Sequence, residues 1–332
     1  MAQHKVFKLH FLTPLHVGLG RSEYDSSSSD LHSDTITSAL AAMKAQRGAS
    51  SEEIYKYLDS ITMSSAFPYE EELYFLPRPL TSDRIFLDGQ DSTEHRKKLK
   101  KVRYIESSVW QKFLNTEVPS IQSTQLAGEY ILPLGYEGFV KPFSSQVTQR
   151  VSVARGDGLD SSPFFFEWCY FNNERDCGLY VIVDATTDEV LVETKSLLEE
   201  LGYTGIGTDK TVGGGQFEVK EGTIDLPDSK SDRWLSLSLY LPARTEQSAI
   251  NMQDSCYNIQ LRGGYMAGSG CEELRHLWKR SIYMYQEGSV FYCEDCPSGV
   301  IVDLRPQWND ARMHPVYRSG KAMFVPIKSV KQ

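Results

Sequence analysis

The chain lacks most of the features that would assign it quickly. Its 332 residues hold six cysteines, Cys169, Cys177, Cys256, Cys271, Cys293 and Cys296, at irregular spacing, which excludes a disulfide framework and reads as reduced cytosolic thiols. No run approaches the ~18 apolar residues of a membrane span. Lys5, Lys8 and His10 break the first apolar segment, so no signal-peptide core or membrane partner is expected, and the cytoplasm is the expected compartment. Positive charge is in deficit: 35 Lys and Arg against 44 Asp and Glu leave a net charge of -9. That balance argues against coating nucleic acid by bulk charge, so any such contact must use local patches. Triphosphate-loop chemistry is not expected either, because the lysine of the one long glycine-rich segment follows Asp209 where that motif needs Gly-Lys-Ser/Thr. Cys293 and Cys296 form a lone C-x-x-C pair with no second pair at zinc-ribbon spacing. Cys271, His276 or His314 could complete a set, but incidental thiols are the simpler reading, and no metal or other cofactor is expected.

What the sequence does hold is glycine in one place. Between Gly202 and Phe217 stand six glycines, Gly202, Gly205, Gly207, Gly213, Gly214 and Gly215, with Lys210 among them. Such a segment lets backbone approach a ligand closely, and successive N–H groups in it can converge on a phosphate. A plain connector between a helix and a strand is the competing reading.

Around this loop the pattern is α+β. Phe7, Leu9 and Phe11 alternate with Lys8 and His10, which predicts a half-buried opening strand, and Thr13 to Gly18 leaves it as a loop. Ser33 and Asp34 can cap a helix with Ile36, Ala39, Leu40 and Met43 on one face. A second short helix is predicted from Glu52 to Leu58, and the prolines in Phe67-Pro68 and Leu76-Pro77 impose extended chain. His95 to Arg103 is the one dense basic run, read first as a solvated face. From Val140 to Asn173 the alternation predicts a protruding hairpin with a mobile tip at Arg155-Gly156-Asp157-Gly158. Leu179 to Val183 is a strand, and Val190, Leu191, Thr194, Leu197, Leu198 and Leu201 mark a helix that stops at Gly202. With the strand after the glycine loop, this order is that of a βαββαβ unit with insertions. Leu235, Leu237, Leu239 and Leu241 then open a second strand-rich region, so a domain boundary is placed near Leu226.

Several segments, in this order, resemble one family. They are Pro14-Leu15-His16-Val17-Gly18, Leu31 to Leu40 at the first helix, Ser65-Ala66-Phe67-Pro68 with Tyr74 to Pro79, Gly213-Gly214-Gly215-Gln216-Phe217, and Arg318-Ser319-Gly320-Lys321-Ala322. Together they resemble the RAMP superfamily of CRISPR proteins and, within it, the fourth Csm subunit of type III-A effector complexes. The resemblance implies two ferredoxin-like (RRM-like) domains, about 1–225 and 226–332. The first would carry the hairpin (about 140–173) as a thumb and the glycine-rich loop at 202–215. It further implies a non-catalytic crRNA-binding subunit in antiviral defence, which holds the 5′ handle. The subunit would bridge the large polymerase-like subunit to the backbone subunits, with target RNA reaching it through the assembled complex.

The residues that could carry such a role are few. Single-stranded RNA is bound by backbone N–H groups and arginines on phosphates and by aromatics under bases. The candidates are His16 with Gly18, Arg150 at the base of the hairpin, the loop residues Gly202, Gly205, Gly207, Lys210, Gly213, Gly214 and Gly215, and Arg262, for which a plain surface role is the alternative. His16 has three readings: RNA contact or loop packing, a structural histidine, or a general acid or base on a 2′-OH. The last defines the alternative function, a metal-independent endoribonuclease of the same fold that processes precursor crRNA. A small-molecule phosphate binder is the third.

Overall fold

The computed structural model describes residues 1–18, 27–28, 30–81, 85–89, 93–115, 120–152, 162–266, 273, 277–306 and 312–328. The expected hairpin tip at Arg155-Gly156-Asp157-Gly158 lies outside them, as do Cys271 and His276. Among the described residues six helices, α1 (Ser33–Gln46), α2 (Ser51–Ser60), α3 (Thr93–Leu99), α4 (Ser107–Asn115), α5 (Asp188–Thr204) and α6 (Arg244–Ala249), accompany a large sheet and several small ones, a mixed α+β fold. Among the described residues no helix is long and apolar enough to cross a membrane.

The opening strand, Ala2–Phe11, lies inside the large sheet. Phe217–Leu226 pairs on one side of it and Cys177–Ala185 on the other, both antiparallel. Cys177–Ala185 in turn receives Ile61–Met63 and Phe67–Glu70 on its far edge. Leu73–Pro77, Tyr104–Glu106, Tyr130–Ile131 and Leu126–Ala127 extend the sheet outward. One face carries Phe7, Leu9, Val181 and Val183 against Ile36, Leu40 and Met43 of α1 and Leu197, Leu198 and Leu201 of α5. That is why the two predicted apolar stripes read as helical faces.

The opposite face is also covered, which corrects the expected half-buried strand. Val6, Tyr180, Ile182, Ile224 and Leu226 pack with Leu235, Leu237, Val290, Met323 and Val325 of the second region. Lys8 is therefore buried, and the sheet accommodates its charge: Nζ donates to the Glu71 carbonyl at 2.7 Å, pairs with Glu72 at 3.2 Å and sits over the rings of Tyr69 and Tyr74.

The second region builds a four-stranded antiparallel sheet in the order Asn251–Cys256, Val290–Tyr292, Arg233–Ser236, Phe324–Pro326. Leu235, Leu237 and Leu239 are fully buried, as their alternation predicts. The first sheet ends at Leu226, but the chain beyond it returns to the first region: Ser65 N–H donates to the Leu237 carbonyl at 2.9 Å and Ser238 Oγ to the Met63 carbonyl at 2.8 Å.

Helix boundaries also depart from expectation for local reasons. α2 starts one turn-residue early because Ser50 and Glu53 form a capping box. α5 runs past Gly202 to Thr204, with Gly205 as its cap. At α1 neither Ser33 nor Asp34 caps the helix; His32 holds that position without a side-chain bond. Ser33 N–H donates to Ser65 Oγ, and Ser33 Oγ accepts from Leu239 N–H at 3.0 Å. Asp34 faces two arginines from the second region instead.

Candidate functional site

Three of the segments singled out in the sequence meet at one junction: the loop after the opening strand, one face of the hairpin and the glycine loop. The hairpin is a two-stranded ribbon, Phe143–Ser152 against Ser162–Phe171, with Phe143 opposite Phe171 and Ser152 opposite Ser162. Its period of two sends Arg150, Phe166 and Trp168 toward the body while Val147, Val151 and Phe165 remain exposed. Leu15 and Cys169 exchange backbone hydrogen bonds at 2.9 and 2.8 Å, which fixes the loop on the ribbon.

His16 is 2% exposed. Its Nδ1 lies 2.7 Å from the Glu167 carbonyl, its ring packs on Phe166 with centroids 4.2 Å apart, and Trp168 meets it edge-on at 6.3 Å. Its own carbonyl accepts from Thr208 N–H at 3.1 Å, so the residue links ribbon and glycine loop. Arg150, expected at the base of the hairpin, instead stands opposite Phe164 near the outer end of the described ribbon, and its long side chain makes the second link: Nη1 donates to Asp209 at 2.7 Å and the guanidinium lies over Phe166 and Trp168, 4.4 and 5.0 Å from the ring centroids.

The glycine loop is not the open anion cradle its composition suggests. The amides of Gly205, Ile206, Thr208, Val212, Gly213, Gly214 and Gly215 donate to carbonyls of Leu201, Gly215, His16, Asp209, Lys210, Asp209 and Pro14 respectively. These N–H groups therefore do not converge on an outside ligand. The glycines are needed because protein approaches protein: a Cβ would strike the Phe217 carbonyl at Gly202, the Gly214 carbonyl at Gly205, the His16 carbonyl at Gly207 and the Ile206 carbonyl at Gly215. At Gly214 it would come within 2.7 Å of the Trp168 ring, and at Gly18 within 3.2 Å of Thr208 Cγ2. Gly213 alone of the six faces open space, at φ +86°. Lys210, Thr211 and Val212, exposed beside it, form the outer rim.

Arg262 is not a plain surface arginine. Its Nε and Nη2 donate to Asp34 at 2.7 and 2.9 Å, and Arg318 Nη1 donates to the same carboxylate at 2.5 Å. Asp34 is fully buried; burial alone would raise its pKa, but Arg318 and Arg262 outweigh it and hold the carboxyl below the usual range. Cys293 is buried and its thiol is pushed up to about 12, mainly by burial. The basic run forms α3 and the turn after it, with Lys98 paired to Glu94 at 2.9 Å and Arg103 to Asp30 at 2.5 Å.

Asp209, Phe166 and Trp168 were missed as members of the junction. Asp209 had one signal, the sole carboxylate inside the glycine run. The two aromatics had another, the alternation of Phe164, Phe166 and Trp168 along a predicted hairpin strand. What the junction offers chemically is a shaped, packed surface with cationic and aromatic edges; its histidine is sealed from solvent.

The chain is similar to known proteins in sequence and in overall fold. The chain is 28% identical over 223 residues to the CRISPR system Cms protein Csm4 of Thermococcus onnurineus (strain NA1), covering 64% of this chain and 70% of that protein. It is 24% identical to the protein of the same name from Streptococcus thermophilus, over 97% of this chain and 99% of the relative. Among solved structures, the fold matches a chain of the Csm3-Csm4 subcomplex of the type III-A CRISPR-Cas interference complex, with a TM-score of 0.60 at 18% identity, over 99% of this chain and 100% of that one. It also matches a chain of the Csm1-Csm4 cassette in complex with pppApA, with a TM-score of 0.59 at 18% identity over the whole of both chains. The RAMP superfamily model matches residues 8–218 and the CRISPR Csm4 C-terminal domain model residues 229–327; the chain belongs to the RAMP superfamily, as a Csm4-type subunit.

Proposed function

We propose that this chain is the non-catalytic crRNA-binding subunit of a type III-A Csm complex. In that role it holds the 5′ handle and bridges the large polymerase-like subunit to the backbone subunits. The observation that carries the reading is the junction itself, where the His16 loop, the hairpin and the glycine loop interlock and Arg150 joins two of them. Three separately recognisable segments packed to one point are a preformed surface, and preformation suits a short RNA segment of fixed sequence better than a broad charge field would. The hairpin is read as the thumb between handle and guide; its exposed face of Val147, Val151 and Phe165 is available to a base or a neighbouring subunit.

Both sheets are read as ferredoxin-like. Numbered within each unit, the first has the spatial order four, one, three, two in Phe217–Leu226, Ala2–Phe11, Cys177–Ala185 and Ile61–Met63 with Phe67–Glu70. The second repeats it in Phe324–Pro326, Arg233–Ser236, Val290–Tyr292 and Asn251–Cys256. The bridging role draws support from relatives solved as Csm1-Csm4 and Csm3-Csm4 assemblies. The absence of catalysis draws support from His16, whose burial and bond to the Glu167 carbonyl withhold it from a 2′-OH.

Purifying the chain with its complex and sequencing the RNA that accompanies it tests the reading. A short RNA of uniform 5′ sequence is expected. Cleavage of naked repeat RNA by the isolated chain, lost in His16→Ala, would replace it with the endoribonuclease reading. Recovery of no RNA would leave a phosphate binder.

A further inference from the structure

A cavity of about 380 Å³ lies between the two regions, away from the His16 junction. The first region contributes the extended chain from Pro77 to Thr81 and the turn after α3, and the second contributes Asn258, Gln286 and Glu287. Backbone hydrogen bonds tie these walls in place. Arg78 N–H donates to the Arg103 carbonyl at 2.9 Å, Leu80 N–H to the Gly288 carbonyl at 2.7 Å, and Gln286 N–H to the Asn258 carbonyl at 2.9 Å. The two regions approach so closely here that a Cβ on Gly288 would come within 2.6 Å of the Arg78 carbonyl oxygen. The space is therefore preformed.

The charges that line it do not balance. Among the described residues two carboxylates face the cavity, and both are engaged. Asp30 accepts from Arg103 Nη2 at 2.5 and 2.7 Å, while Glu287 lies 2.8 Å from His32 Nδ1 and accepts from Ser65 Oγ. Arg78 and Lys100 line the same cavity with no carboxylate partner among the described residues. Lys100, from the dense basic run, is exposed. Arg78 is half-buried, its side chain donates to the Leu99 carbonyl, and burial pulls its guanidinium below the usual range with no anion to offset it. Two unmatched cations on one preformed space favour an anionic ligand.

The rest of the lining says what the anion is attached to. A carboxylate side chain or a free phosphate would leave most of the volume unfilled, whereas a space of this size suits a small organic ligand. Pro77, Pro79 and Leu80 supply apolar wall, and Asn258 and Gln286 supply amides that donate and accept, as the edge of a base requires. Gln286 is held by its Nε2, which donates to Gln260 Oε1 at 3.2 Å. We propose that this cavity binds one nucleotide, with its phosphate on Arg78 and Lys100 and its base against Asn258 and Gln286. The site goes beyond the handle reading and shares no lining residue with the His16 loop, the hairpin or the glycine loop.

The test is calorimetric titration of the full chain with AMP, GMP, CMP and UMP at low salt, with the four nucleosides and inorganic phosphate as controls. At least one monophosphate should bind one to one, about tenfold or more tighter than its nucleoside, and tighter than inorganic phosphate. Lys100→Gln should weaken it by about threefold to tenfold and Arg78→Gln by about tenfold or more. Thermal unfolding checks each variant; Lys100 is exposed and unpaired, so the test survives even if Arg78→Gln does not fold. Asn258→Ala, also at an exposed position, should change the ranking of the four bases. Displacement of the nucleotide by a short 5′-phosphorylated RNA would make the natural occupant an RNA end, and failure to displace it a free nucleotide; either source supports the site. No binding of any monophosphate at millimolar concentration, binding unchanged in both Lys100→Gln and Arg78→Gln, or inorganic phosphate bound as tightly as any nucleotide overturns the proposal. A glutamate-rich peptide that binds more tightly than every monophosphate also overturns it, since the cations would then serve an acidic protein segment. Gly213→Val should leave mononucleotide binding unchanged. If the monophosphates fail while an RNA of uniform 5′ sequence accompanies the complex, this proposal falls and the handle reading stands; if they bind and no such RNA is recovered, the reverse holds.

Discussion

Replacing Asp34 with asparagine should be among the most damaging single changes to this chain, although it removes no volume. The carboxylate accepts from Arg262 Nε at 2.7 Å, Arg262 Nη2 at 2.9 Å and Arg318 Nη1 at 2.5 Å, and it is fully buried at the first turn of α1. An amide keeps one acceptor oxygen but sets an NH2 against a guanidinium and leaves two arginine charges uncompensated, one of them on the buried Arg318. Breaking a buried pair from one side costs roughly 3–5 kcal/mol, since the remaining charge stays desolvated. The N-terminal helix dipole, which favours the anion, adds about 0.3–1 kcal/mol. Thermal unfolding should therefore shift downward by roughly 5–10 °C. Because Arg262 and Arg318 both come from the second region, the variant should loosen the two regions together, visible as faster amide exchange in α1 and in strand Tyr317–Ser319. A cycle isolates the charge term: Arg318→Met should cost much less in the Asp34→Asn background than in the parent, because there it removes an unpaired charge. Equal cost in both backgrounds, or an Asp34→Asn variant within ~1 kcal/mol of the parent, would refute the reasoning.

Gly214→Ala should destabilise by roughly 1–3 kcal/mol by overpacking against Trp168, 2.7 Å from the added carbon, whereas Gly213→Ala meets open space and should carry only its left-handed backbone cost of about 1 kcal/mol. Denaturation of the two variants side by side checks this, and the reverse order contradicts it. His32 lies 2.8 Å from Glu287; burial alone would lower its pKa, but Glu287 outweighs it and the pKa is raised above 6.5. The stability this contributes is fully present below about pH 6.5 and lost as pH rises through the raised value. The melting-temperature gap between the parent and His32→Gln should thus narrow from pH 6 to pH 9, and a gap that widens refutes the pairing. Arg150→Ala should weaken handle RNA about tenfold and RNA lacking the handle much less. An equal loss for both RNAs would show that Arg150 acts only through Asp209 and the stack on Phe166.

Local order was legible because it is locally encoded. The faces of α1 and α5 and the buried leucines Leu235, Leu237 and Leu239 follow periods that any chain must obey. The hairpin was read as 140–173 and pairs from Phe143 to Phe171. What stayed hidden was the partner at a distance. Lys8 reads as a solvent-facing residue until Tyr69 and Tyr74 cover it, and Asp34 reads as a helix-start residue until Arg262 and Arg318 arrive from the far end of the chain. The glycine loop shows the same limit more sharply. A glycine run announces that something approaches the backbone closely, but not whether that something is a ligand or the protein itself. For Gly202, Gly205, Gly207, Gly214 and Gly215 the approaching group is Phe217, Gly214, His16, Trp168 or Ile206. The case for a ligand therefore narrows to Gly213 and the exposed Lys210, Thr211 and Val212 beside it, and Gly213→Val is the substitution that separates contact with RNA from packing within the chain.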